Sequence, residues 1–365
     1  MFFEPPSLMH STMVKIALTL FTKPVIRREM TYKVRCANDD STSKILWLST
    51  KEIFKMNIPI LLKKKLIRYV ASIFCEYLKW LIQHKVCLGY YIQPFSSICW
   101  RSDGSIDKQK TAEELLQDTS IDILHRFRLA CKYCMKDDIV TFWNEMTEEK
   151  QRQEQQKTPL PYMTDDWLLL LMFKEDTTGW PTSSEDDNFQ NLLRISRLNS
   201  EAALNLLKLL EPEDRRACLL RHLENSTSRR IDMNLYSELD ECKRGELLQK
   251  NYLSILNTFF SWTSQNVFIS LANDFFYLFD KKDFCLCVTD LLFRISRSWL
   301  DLSYVNLFKQ FWNSSPIHLR EALKAEKVVY SQVMRLLDGS FEVQLNSMFE
   351  SLDEFLANPT FINKR

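Results

Sequence analysis

The amino-acid sequence predicts an all-α protein, built as an irregular, solenoid-like array of antiparallel helical hairpins. Three observations favour this class. Only five of the 365 residues are glycine, whereas the tight turns of β-proteins favour glycine. Hydrophobic residues make up 45% of the chain and charged residues 26%, which is typical of a folded globular protein. Apolar residues recur at intervals of three and four over most of the chain, as on the buried face of a helix.

The N-terminal region gives the weakest pattern, and both a short β-hairpin and a frayed helix pair fit residues 1–57. Pro59 is a plausible first residue of a long helix, because the apolar residues from Leu62 to Leu81 follow helical spacing. Lys63–Lys65 and Arg68 form a small basic patch on this helix. A solvated helix face explains that patch better than a phosphate site does.

The stretch RFRLACKYCMKDDIVTFWNEM, residues 126–146, contains the end of one predicted helix and the whole of the next. Before it, Thr111–Glu114 has the form of a capping box at the start of a helix. Asp137 or Asp138 is expected to cap the second helix of the stretch, since aspartate accepts hydrogen bonds from the first free backbone amides.

From Asn188 onwards the chain is predicted to form successive helices joined by short turns, from residues 188–198 to residues 340–356. No strict period is found, so a degenerate helical-repeat array fits better than a consensus repeat. The polar segment of residues 147–157 is predicted to be exposed. We therefore divide the chain into an N-terminal region with one long helix (1–110), a helical hairpin (111–157) and a C-terminal helical array (158–365).

Composition excludes several classes of function. The five glycines lie far apart, so no G-x-G-x-x-G or Walker A loop exists to hold a phosphate. The net charge of +1 gives no reason to expect a nucleic-acid partner. The apolar run from Trp167 to Phe173 is too short to span a membrane, so we expect no membrane partner. Ten cysteines without a persuasive secretory signal indicate reduced thiols in the cytoplasm or nucleus, and we predict a cytoplasmic location.

A Cys-x-x-Cys motif, Cys131 to Cys134, suggests redox or metal chemistry but has the wrong context. A redox dithiol belongs at a helix N-terminus, where the dipole lowers a thiol pKa, and here the motif lies in the last turns of a helix. A structural zinc site needs four ligands, and the other close pair, Cys285 and Cys287, is far away in sequence. We expect buried structural cysteines and no cofactor.

A more specific alternative is a metal site at Asp137, Thr141 and Glu145. Their spacing resembles the second metal-binding motif of class I terpene synthases. The resemblance covers nine residues and implies a Mg²⁺-dependent all-α enzyme acting on a diphosphate. That family also carries an aspartate-rich D-D-x-x-D/E motif upstream. In this chain Asp39-Asp40 is followed by Ser-Thr-Ser instead. Phe142 and Trp143 are read as the buried face of the same helix.

Residues 126–146 also resemble a family of all-helical proteins of unknown chemistry that occurs in expanded sets in arthropod genomes. The shared form is an R-F-x-L-A-x-x-Y-C helix, an acidic turn and a helix ending in Trp. The resemblance implies an ankyrin-like or other helical-repeat architecture and no particular chemistry. The T-P-L-H signature of true ankyrin repeats is absent, and no functional residue is carried over.

The predicted function follows mainly by elimination. His125, His222 and His318 are scattered over predicted helices, and no H-E-x-x-H motif is present. We assign no catalytic, cofactor-binding or metal-binding residue. The sequence is best explained as a non-catalytic interaction scaffold that presents a helical surface to another protein.

Overall fold

The computed structural model describes residues 7–36, 40–88, 95–155, 200–224, 235–236, 238–260, 265–296 and 304–339. Helices dominate this part of the chain, and it contains no strand, only an isolated bridge between Trp100 and Ile106. The predicted all-α class is confirmed, while the solenoid-like arrangement stays a prediction. The helices predicted at residues 188–198 and 340–356 lie outside the described residues.

The helices alternate with short connections along the chain. In order, the first eight are α1 (Leu8–Phe21), α2 (Pro24–Cys36), α3 (Asp40–Phe54), α4 (Ile60–Leu88), α5 (Lys108–Gln117), α6 (Ile123–Tyr133), α7 (Lys136–Glu145) and α8 (Glu148–Gln155). They are followed by α9 (Ser200–Lys208), α10 (Pro212–Glu224), α11 (Glu241–Thr258), α12 (Gln265–Phe275), α13 (Lys281–Ser296), α14 (Tyr304–Ser314), α15 (Ile317–Leu323) and α16 (Lys327–Leu337). Short 3₁₀ turns occupy Phe95–Ser97 and Phe276–Leu278.

The structure divides into two compact units. Unit 1 comprises Met1–Tyr77, Ser102–Ser105 and Tyr252–Arg365, and unit 2 comprises Leu78–Arg101 and Ile106–Asn251. Helix α11 is kinked at Asn251 (φ −122°, ψ 24°), next to the division between the units. A compact unit need not fold alone, so the domains predicted at residues 1–110, 111–157 and 158–365 stay a prediction.

The N-terminal part of unit 1 is helical. Of the two alternatives for residues 1–57, the hairpin is wrong, because α1, α2 and α3 occupy residues 8–54 with gaps of only a few residues. Helices α2 and α3 pack on each other, and α1 contacts both. Pro59 directly precedes α4 instead of being its first residue, and its carbonyl accepts a hydrogen bond from Lys63 N at 3.1 Å.

Aromatic side chains form the core of α12, α13 and α14 in unit 1. The ring of Phe311 lies at their centre, with ring centroids 5.6 Å from Phe268 and 5.5 Å from both Phe276 and Phe284. Phe311 is fully buried. Offset and tilted ring contacts of this kind add to the free energy of burying the apolar surface.

In unit 2, α6 packs against α5, α7 and α9. Two predicted caps are wrong. Helix α5 begins at Lys108 and is capped by Asp107, whose carboxylate accepts from Lys110 N at 3.1 Å, so the proposed capping box at Thr111 lies inside the helix. Helix α7 already begins after Met135, which places Asp137 and Asp138 in its first turn. There the carboxylates still interact favourably with the helix dipole.

The polar segment of residues 147–157 contains α8. Most side chains of this helix are exposed, as the composition predicts, but Glu154 is buried and ion-paired with Arg128 of α6. A polar run cannot show which of its members will find a buried partner. The expectation of a fully solvated segment is therefore wrong at Glu154.

Candidate functional site

The Cys-x-x-Cys motif lies at the C-terminal end of α6, as predicted. Cys134 is the C-cap residue in the left-handed conformation (φ 53°), and Met135 N donates to Ala130 O at 3.1 Å to close the last turn. Cys131 and Cys134 are buried, and burial raises the pKa of the Cys131 thiol well above its ordinary value. A thiol with a raised pKa is a poor nucleophile, so the geometry does not favour redox chemistry.

A buried cluster in unit 2 is formed by Trp80, His84 and Tyr133 and is here called the His84 cluster. The rings of Trp80 and His84 stack at 4.2 Å, and those of His84 and Tyr133 at 5.7 Å. His84 Nδ1 lies 2.7 Å from the carbonyl oxygen of Trp80, which can only accept. Nδ1 therefore carries the proton, and Nε2 accepts from the Tyr133 hydroxyl at 2.8 Å.

Burial keeps this cluster uncharged. Desolvation, assisted by the charge of nearby Lys132, lowers the pKa of His84 to about 3. Desolvation also raises the pKa of the Tyr133 hydroxyl. A general acid or base works best with a pKa near the operating pH. The pKa values of His84 and Tyr133 are both shifted away from neutral pH, so the His84 cluster is better explained as a buried structural contact between α4 and α6.

Helix α9 also contacts the His84 cluster, through the side chain of Asn205. Asn205 Nδ2 donates to the backbone oxygen of Tyr133 at 2.9 Å and to Gln109 Oε1 at 3.1 Å. One side chain of α9 thus satisfies a carbonyl at the end of α6 and also contacts α5. Free carbonyls at a helix end need such partners when they are buried.

The residues of the magnesium alternative lie on the outside of α7. Asp137, Thr141 and Glu145 are exposed, whereas Phe142 and Trp143 are buried on the opposite side. Nowhere in the described part of the chain do three His, Cys, Asp or Glu side chains come together in a way that could hold a metal ion. Asp39, the upstream acid considered above, lies outside the described residues.

The three histidines that the sequence singles out have separate surroundings. His125 Nδ1 lies 2.9 Å from Cys87 O, His222 is buried in α10, and His318 is exposed on α15 in unit 1. Sequence reasoning missed the more deeply buried His84. Its spacing of four residues from Trp80 on α4 is the signal that could have found it.

A cavity of about 350 Å³ opens beside α10 in unit 2 and is here called the α10 cavity. Its apolar wall comes from Leu204 and Leu207 of α9, Leu219 of α10 and Leu239, together with Pro212. None of Asp137, Glu145 or the three singled-out histidines lines it. The cavity is assembled from three separate stretches of chain, so no local sequence signal could have revealed it.

Three charged residues at the α10 cavity, Arg215, Arg216 and Asp240, are engaged with other protein groups. The other charged residues that line it are Lys208 and Glu238. Arg215 Nε donates to Leu207 O at 2.9 Å, and its Nη2 donates to Leu210 O at 3.1 Å, which caps the end of α9. Arg216 Nη2 lies 3.0 Å from Asp240 Oδ2, and the second oxygen of Asp240 accepts from Lys243 N at 2.9 Å. The cavity is thus lined by leucines, with charged residues around it that include the Arg216–Asp240 ion pair.

No protein-family model matches the chain, and no curated protein matches it. Among the described helices, none combines the length and the apolar character that crossing a membrane requires.

Proposed function

We propose that the protein is a non-catalytic interaction scaffold, and that the α10 cavity receives an apolar side chain of a partner protein. The observation that carries this proposal is a leucine-lined cavity surrounded by charged residues of both signs, among them the Arg216–Asp240 ion pair. Protein interfaces have this plan, with a desolvated apolar anchor site inside a polar rim. In this proposal the protein works in the cytoplasm, where thiols stay reduced.

The size of the α10 cavity and the charges around it favour a partner protein's side chain, and not a small-molecule substrate, as its occupant. A volume of about 350 Å³ is near the lower end for small-molecule pockets and is ample for one Leu, Phe or Trp side chain. Arg215 already binds backbone carbonyls and Arg216 already pairs with Asp240. An anionic substrate that bound to either arginine would have to break these contacts, whereas an apolar side chain would leave them intact.

The test is affinity purification with the full chain from an extract of the native cell type. Leu204 is half-buried at the cavity, and Leu204→Trp fills the cavity with its larger side chain. The matched control is Leu286→Trp on α13, where the native leucine is 50% exposed. We expect the native chain and L286W to retain the same partner and L204W to lose it. Capture of no partner, or equal capture by all three chains, would contradict the proposal.

A further inference from the structure

The chain from Lys44 to Arg68 is strongly basic, although the protein as a whole carries only +1. It contains seven basic residues and one acidic residue, Glu52, which gives this stretch a net charge of +6. Glu52 is itself paired with both Lys23 and Lys55. A local excess of this size attracts anionic partners, whatever the net charge of the rest of the chain.

The fold arranges these charges on the exposed sides of two successive helices. On α3, Trp47 and Lys51 are one helical turn apart and both exposed, and the Lys51 ammonium lies 5.5 Å from the centroid of the Trp47 ring. On α4, Leu61, Lys64 and Arg68 are exposed at positions that share one helix face. Lys64 and Arg68 form no ion pair with any described residue.

Apolar side chains project where the two helices meet. Ile60 and Leu61, the first two residues of α4, are 51% and 76% exposed. Lys63, close behind them, donates to Phe54 O at 2.9 Å and so ties the end of α3 to the start of α4. We call this group of exposed residues, in the second half of α3, directly after it and at the start of α4, the basic corner; it consists of Trp47, Lys51, Lys55, Ile60, Leu61 and Lys64.

We propose that the basic corner binds the surface of a membrane rich in anionic lipids, with Ile60 and Leu61 entering the headgroup region. Each lysine near an anionic membrane surface strengthens binding, and exposed aliphatic side chains add the energy of leaving water. Trp47 suits this position, since tryptophan favours the boundary between headgroups and hydrocarbon. In this proposal the protein binds at the membrane surface, and none of the described helices is long and apolar enough to span the membrane.

Other partners explain the basic corner less well. The core of a protein interface is depleted in lysine, and here lysines surround the apolar side chains. Single-stranded nucleic acid would be bound by several aromatic side chains for stacking, whereas the basic corner has one, Trp47, beside the aliphatic Ile60 and Leu61. The expectation of no membrane partner rested on the lack of a spanning segment, which does not bear on binding at the surface. The proposed scaffold function involves a different surface, in unit 2, and does not depend on this proposal.

The test is co-sedimentation of the full chain with vesicles of phosphatidylcholine alone and of phosphatidylcholine mixed with phosphatidylserine. We expect binding only to the vesicles that contain phosphatidylserine, and weaker binding as salt is added. The variant Lys51→Glu/Lys64→Glu should weaken binding by more than about twentyfold, since each lysine contributes about fivefold. The variant Ile60→Ser/Leu61→Ser should weaken it by about tenfold or more.

Two matched controls change residues of the same kind, lysine or aliphatic, at exposed positions elsewhere in unit 1. Lys282→Glu/Lys327→Glu alters the net charge by the same amount, and Ile317→Ser/Val328→Ser replaces aliphatic residues that are 69% and 71% exposed. Both should bind vesicles as the native chain does. No sedimentation with phosphatidylserine, equal losses in the controls, or equal binding to phosphatidylcholine alone would overturn the proposal. So would a dimer that I60S/L61S abolishes, because the corner would then contact a second copy.

Discussion

Arg128 of α6 and Glu154 of α8 form a bidentate ion pair in the interior of unit 2. Arg128 Nε donates to Glu154 Oε1 at 2.7 Å, and Nη2 donates to the other carboxylate oxygen. The side chains are only 10% and 0% exposed. A buried pair of this kind is costly to form but much more costly to break, because one charge would then remain buried alone.

Glu154→Gln removes the carboxylate and leaves the guanidinium of Arg128 in the interior. We expect the free energy of unfolding to fall by about 3 kcal/mol, measured by urea denaturation. Protease cleavage within residues 147–157 should also become faster, because α8 loses its buried contact. The control is Glu148→Gln on the same helix, whose exposed pair with Arg152 contributes little. Equal losses of stability in the two variants would show that the buried pair has no special role.

The His84 cluster predicts a loss of stability in acid. The pKa of His84 is lowered to about 3 in the folded protein, so between about pH 6.5 and 3 only the unfolded chain binds this proton. Unfolding is then favoured by up to about 1.4 kcal/mol for each pH unit of acidification in that window. His84→Gln should remove this part of the pH dependence in denaturation measurements. The control, His318→Gln at an exposed position, should show the same pH dependence of stability as the native protein. A native-like pH dependence in H84Q would contradict the assignment.

Phe311 should be among the residues that matter most for the stability of unit 1. Phe311→Ala removes a fully buried ring that contacts three others, and we expect a loss of about 3–5 kcal/mol in thermal or chemical denaturation. Phe293→Ala on α13 is the matched control, because that ring is 51% exposed. A small effect of F311A would mean that the neighbouring rings close the space that the alanine leaves.

The buried thiols should react slowly. In the native protein a maleimide should label exposed Cys242 quickly, and Cys87, Cys131 and Cys134 only as fast as the protein opens. Burial also raises the pKa of Cys87 to about 11 and raises the pKa of Cys131 well above its ordinary value, which leaves little thiolate at neutral pH. Mass spectrometry of peptides after short labelling gives the rates. Rapid labelling of Cys131 and Cys134 would show that this part of unit 2 is open.

Much of the fold could be predicted because helix formation is local. The spacing of apolar residues indicated α4, α6 and α7, and the position of the Cys-x-x-Cys motif at the end of a helix is confirmed. The caps were less predictable. The observed N-cap residues are Asp107 and Met135, which lie only a few residues before the caps that the sequence predicted. Several nearby polar residues could have served equally well as caps.

The all-α class follows from scarce glycine and from apolar residues spaced three and four apart, since both act over a single helical turn. Which polar groups come into contact depends instead on how the helices pack. His84 and Tyr133 are 49 residues apart in the chain and Arg128 and Glu154 are 26 apart, yet each pair is in hydrogen-bond contact. The α10 cavity and the basic corner likewise depend on how helices are placed. Such contacts arise from the packing of whole helices, which no local pattern of residues specifies.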